Sequence, residues 1–163
     1  MNQEEKLLWD KILDFNIDDP ASSFTFTNRL CRENDWSMEY SIRAILEYKK
    51  FIFLVCISNV PQTPSDQVDQ VWHLHLLYTQ SYWIEFCRDL LKREIHHGPT
   101  KGEEERGMFK EQYESTLKLY HTTFNEDPPT DIWPGPDERI SQIHFTRINR
   151  HKMWIIPKLI FKK

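Results

Sequence analysis

Residues 66–87 read DQVDQVWHLHLLYTQSYWIEFC, about six helical turns with no glycine or proline and with apolar side chains every three or four positions. A stretch of that length and period forms an amphipathic helix, and the rest of the chain must supply surfaces that cover its apolar face. Four glycines against nine prolines in 163 residues suit helices joined by stiff turns rather than flexible linkers. The expected fold class is therefore all-α, a compact bundle of about five helices.

Caps and period place those helices. Positions 4–15 put Leu7, Leu8, Ile12 and Phe15 near one face, and Asp19-Pro20 reads as N-cap and first-turn proline of a second helix carrying Phe24, Leu30 and Cys31. A third helix starts after the break at Trp36-Ser37. Its Ile45, Tyr48, Phe51, Ile52 and Val55 keep helical spacing while Phe53, Leu54 and Ile57 fill other faces, as expected of a central helix buried nearly all round. Thr63-Pro64-Ser65-Asp66 reads as N-cap, proline and acidic first turn of the fourth helix, which runs to about Leu91. After a loop at 92–101, Thr100 and Glu103 form a capping box for a fifth helix with Phe109, Tyr113, Leu117, Tyr120 and Phe124. Residues 127–136 hold four prolines, which rules out helix and predicts a proline-rich C-terminal cover.

Charge divides the chain into a helical domain, 1–138, and a tail, 139–163. Seven cations from Arg139 onward face no acidic residue after Glu138, whereas residues 1–138 carry 14 basic and 25 acidic side chains, a net −11. An acidic body argues against nucleic acid as the main partner. The basic tail interleaves Phe145, Trp154, Ile155, Ile156 and Phe161 and is expected to pack back on that body, with an anionic membrane surface or partner as the alternative. Cys31, Cys56 and Cys87 are odd in number and lie in apolar helical patterns, as reduced thiols do. Met1 to Lys6 runs into a charged amphipathic helix rather than a secretory leader, so the expected location is cytoplasmic. The longest apolar run, 51–57, is too short to span a bilayer.

On the wheel of the fourth helix, Val68, Val71, Trp72, His75, Leu76, Thr79, Tyr82, Trp83, Phe86 and Leu90 share a broad core face. His73 points roughly 160° away from His75, so the His-x-His pair cannot chelate one ion on a helix. Asp69 and His73, four apart, can form a structural ion pair, share a metal ion or do acid–base work. A metal needs further ligands, and His96, His97, His121 and Glu103 to Glu105 are the candidates. His75 reads as a core histidine bonded to a tyrosine or a backbone carbonyl, His96-His97 equally as loop anchors, and Cys87 as a small packing residue.

The run Asp69-Gln-Val-Trp72-His73-Leu-His75-Leu, together with Tyr82, Cys87, His96-His97 and Pro128-Pro129-x-x-Ile-Trp133-Pro134, resembles the glycine-rich domain-containing protein-like family, a domain of unknown function. The resemblance covers about residues 35–135 and concerns the helical module alone, since plant members often continue into a glycine-rich tail and this chain has four glycines in all. It implies no established reaction. It does imply that Asp69, Trp72, His73, His75, Tyr82, Cys87 and Pro129 are positions the family pattern uses, for folding or for a site.

No nucleophile elbow, P-loop, dinucleotide turn or His-Glu-x-x-His is present. The leading expectation is a non-catalytic interaction or regulatory module, serving a protein partner or small ligand, whose Asp/His group is structural or binds a ligand or a divalent transition metal such as zinc. A second is a metal-dependent hydrolase-like enzyme built on Asp69, His73, the loop histidines and His121. The third is anionic membrane or partner binding through the tail.

Overall fold

The N-terminal caps follow from short polar side chains placed just ahead of apolar runs. Asn2 and Glu5 form a reciprocal capping box, and Thr25, Ser37 and Ser65 each accept a bond from the backbone N–H three residues on. In the computed structural model, which describes residues 1–98, 106–141 and 156, the elements are α1 (Gln3–Asp14), α2 (Phe26–Asn34), α3 (Met38–Ile57), α4 (Asp66–Leu77), a π-helical segment (Gln80–Leu91), α5 (Arg106–Phe124) and α6 (Pro136–Ser141). The fold is an all-α bundle, with no strand among the described residues. The Thr100–Glu103 capping box and nearly all of the tail lie outside those residues; Ile156, the one described position after Ser141, is exposed.

α3 is the central helix, packed against α1, α2, α4 and α5. Ala44, Phe51, Ile52, Phe53 and Leu54 are fully buried, while Val55 and Ile57 are half-buried and Ile42 lies open to solvent. Burial all round thus holds for residues 51–54, while the first half of the helix buries one side and leaves Ile42 and Leu46 exposed.

Three local readings are corrected. Asp19 does not cap α2: its carboxylate turns to the Ala21 N–H at 2.9 Å, and the helix starts later, at Thr25, leaving Phe24 exposed. Asp18 does the anchoring instead, accepting from the Thr27 N–H at 2.8 Å and the Thr27 hydroxyl at 2.7 Å. Thr63 is not the cap of α4 because it is buried against α5, its N–H on Thr116 Oγ1 and its hydroxyl on Gln112 Oε1. Pro136, placed with the non-helical stretch, is the first residue of α6, where its missing N–H costs nothing.

The largest correction concerns residues 66–91, which are two helices. The α-helical pattern ends at Tyr78, with φ −88° and ψ 65°, and the chain resumes in π geometry at Gln80. Bonds running i→i+5 take in more residues per turn, so Tyr82, then both Phe86 and Cys87, come round to the core. Thr79, which a continuous α-helix would bury, is exposed, and Leu76, Trp83 and Leu90 are half-buried.

The proline-rich segment closes the bundle. The Pro129 carbonyl accepts from the N–H groups of Ile132 and Trp133, at 3.0 and 2.7 Å, and this turn drives both side chains into the core. Trp133 then donates Nε1–H to Glu47 Oε2 at 2.9 Å, a carboxylate in the middle of α3 that is only 4% exposed. Lys50 Nζ lies 3.0 Å from the other Glu47 oxygen and bonds Tyr120 and Glu126 as well. Burial, then the nearby Glu47 charge, pushes the Tyr120 hydroxyl's pKa up, while the Lys50 ammonium holds the Glu126 carboxyl below its ordinary value. Outside, Arg43 grips Asp131 with two bonds of 2.9 and 2.8 Å.

Replacing Glu47 by Ala leaves the Trp133 N–H without its acceptor in the core and Lys50 with only Glu126 and Tyr120, and the expected loss of stability is about 1–3 kcal/mol. Phe86→Ala is expected to lose about 3–5 kcal/mol through the cavity it leaves. Denaturant unfolding measures both, and wild-type midpoints would refute the packing described.

Candidate metal centre

Helical spacing sets Asp69 and His73 one turn apart on the flank of α4, and the segment that follows the π-helix brings His97 to them. Asp69 Oδ1 is 2.7 Å from His97 Nε2 and Asp69 Oδ2 is 3.4 Å from His73 Nδ1. The two imidazole rings are 4.5 Å apart, and the three ligand atoms all lie within 4.8 Å of one another. Asp69 and His97 are about one-sixth exposed and His73 about half, so the group sits at the rim of the core and opens to solvent on the His73 side.

A tetrahedral ion with ligands at about 2.0–2.2 Å holds them roughly 3.3 Å apart, a separation these atoms bracket. The carboxylate offers only acceptors, so His97 Nε2 carries the proton that bonds it, and an ion taken up here replaces that proton. One carboxylate and two imidazoles form a borderline donor set suited to a divalent transition metal such as zinc.

The other predicted residues are elsewhere. His96, next in sequence to His97, rests on Trp83 with its Nε2 3.3 Å from Glu94. His121 bonds Asp127 at 2.9 Å on the exposed end of α5. Glu103 to Glu105 lie outside the described residues. Trp72, Tyr82 and Trp133 are buried, each indole or phenol with a bonded polar atom, and Pro129 acts through its carbonyl. Cys87 is a buried thiol whose pKa burial raises, and burial lifts Cys56 to about 11, so both stay protonated at neutral pH.

His75 is the core histidine of the sequence reading. It is fully buried, with Nδ1 2.9 Å from the Tyr48 hydroxyl and Nε2 3.2 Å from the Ser81 hydroxyl, inside a ring of Phe15, Phe26, Tyr82 and Phe86. One hydroxyl donates and the other accepts, which satisfies a neutral imidazole and leaves no site for a second proton.

Sequence reasoning missed the Glu47, Lys50, Tyr120 and Glu126 cluster. Its signal was two opposite charges three residues apart in a helix otherwise expected to be apolar on every side. Comparison with family models, curated proteins and solved structures finds no match to this chain.

Burial lowers the His75 pKa to about 3, against 6.5 unfolded. Between those values the unfolded chain binds a proton that the folded chain refuses, so this group's contribution is complete above about pH 6.5 and is lost as pH falls toward 3. At pH 5 the loss is about 2 kcal/mol. Unfolding midpoints from pH 7 to 4.5 should fall more steeply for wild type than for His75→Gln, and parallel curves would contradict the assignment.

Proposed function

We propose that the chain is a helical binding module that holds one divalent transition metal ion, zinc in the first place, between Asp69, His73 and His97. The observation that carries this is the convergence of three metal-ligand atoms, contributed by α4 and by a segment 28 residues away from Asp69 in sequence, within 4.8 Å. The ion would cross-link α4 to the loop after the π-helix, which suits an interaction or regulatory role in which metal occupancy sets the shape of that surface. The Trp-His-x-His pattern supports kinship with the glycine-rich domain-containing protein-like family, whose pattern uses Asp69 and His73 together. Three free thiols suit a reducing compartment such as the cytoplasm. Among the described residues no helix is long and apolar enough to cross a membrane.

A second reading, a metal-dependent hydrolase, draws on the ligand count. Three protein ligands leave a fourth position for water, the pattern of catalytic rather than structural zinc. Turnover of ester or phosphoester substrates by zinc-loaded protein, abolished in Asp69→Asn, would establish it.

Elemental analysis and titration of untagged protein are expected to give one zinc per chain. Asp69→Asn, His73→Ala and His97→Ala should each weaken binding by about 100-fold or more, while His96→Ala and His121→Ala leave it within about twofold. No stoichiometric metal, with melting unchanged in chelator, would overturn the proposal.

A further inference from the structure

The metal site joins unequal partners. Asp69 and His73 are held by α4, but His97 rides on a non-helical segment, and its placement depends on whatever fixes that segment. At its start, Lys92 takes the left-handed conformation at φ 55°, the Arg93 N–H bonds the Cys87 carbonyl at 3.1 Å, and the Arg93 guanidinium reaches the Cys56 carbonyl at 3.3 Å. These contacts lie four or five residues before His97. Nearer to it, Ile95 is buried, and its carbonyl accepts a hydrogen bond from the Tyr82 hydroxyl. That same hydroxyl accepts Trp72 Nε1–H at 2.9 Å, and the Trp72 ring meets the His97 ring edge-on, with centroids 4.4 Å apart. The circuit closes within α4, since Trp72 is three residues from Asp69.

Resting on the metal reading above, we infer that Tyr82 is the positioning residue of the site, its hydroxyl clamping the Ile95 carbonyl to Trp72 so that His97 is delivered to Asp69 and His73. Ile95 stands two positions before His97, a reach of at most about 7 Å, so freedom gained at Ile95 passes almost undiminished to the ligand. A metal ligand must be held to within about 0.5 Å, and loss of an outer partner typically weakens affinity 10–100-fold. The π geometry contributes as well, because it brings Cys87, whose carbonyl accepts the Arg93 N–H at the start of the loop, to the core side together with Tyr82 and Phe86.

Tyr82→Phe keeps the ring and its contacts with His75 and Trp83 and removes the hydroxyl, with its bonds to Ile95, Trp72 and the Cys87 thiol. Tyr48→Phe is the matched control, since it deletes another buried hydroxyl of the same core, one bonded to His75 rather than to Ile95. Zinc affinity is measured by competition with a chromophoric chelator, at a temperature where circular dichroism shows each protein folded. The expected result is one zinc on wild type, a 10–100-fold weaker constant for Tyr82→Phe and a change within about twofold for Tyr48→Phe. At saturating cobalt, the visible absorption of Tyr82→Phe should also differ from wild type in band position or intensity, a signature that mere loss of stability does not move. Should Tyr82→Phe fail to fold, Trp72→Phe strips the hydroxyl of its donor while retaining a ring beside His97, and a several-fold loss of affinity is expected. Wild-type affinity and spectrum in the clamp variant, or equal loss in Tyr48→Phe, would overturn the role of Tyr82 and leave the metal site standing. Absence of binding by wild type would overturn both.

Discussion

A carboxylate in the middle of the central helix organises this protein. Glu47 is 4% exposed, and an isolated charge at such a position is too expensive to keep. Its two oxygens are therefore met by Lys50, Tyr120 and the Trp133 indole, and those three partners lie on α3, α5 and the proline-rich closing segment. Satisfying one charge thus fixes how α5 lies against α3 and where the segment after α5 must fold back. The apolar contacts of Trp133 with Phe51, Tyr113 and Tyr120 then gather round that anchor. Replacing the whole set with hydrocarbon could be equally stable, but it would not select one arrangement of three elements as this hydrogen-bonded set does.

The two histidines of α4 show how about half a turn of helix separates two chemistries. His75 faces inward to hydroxyls and aromatic rings, where burial forbids its charged form. His73, two residues earlier, is half exposed beside Asp69 and is one of the three residues of the proposed metal site. The first supports the fold under the site, and the second belongs to the site itself. Trp72 between them serves both, with its ring against His97 and its N–H on Tyr82.

The break at Tyr78 connects these levels. A single α-helix from Asp66 to Leu91 would have presented Thr79 to the core and carried the chain onward in the same direction. The switch to π geometry leaves Thr79 in solvent, brings Phe86 and Cys87 inward together and ends at Lys92 in a turn that directs the next residues back toward α4. π-helical bonding is uncommon over this length and concentrates at functional sites, in keeping with its position directly ahead of the segment that carries His97.

What the sequence determined by itself was local. Helical period, the break at Trp36-Ser37, the centrality of α3, the opposed directions of His73 and His75, and the nature of the proline-rich cover all follow from side-chain spacing and from the missing proline donor, which act over a few residues. Tertiary structure decided the rest, because the determining contacts span long separations. Whether His96, His97 or His121 would join Asp69 could not be read from spacing; it depends on Ile95 being buried under Tyr82, which aims one of two adjacent histidines inward and the other at Glu94. Thr63 likewise lost its capping role only because α5 offers Thr116 and Gln112 as better partners. The π register depends on the same kind of choice, since Phe86 and Cys87 can both face inward only when the other helices provide a core that receives them together.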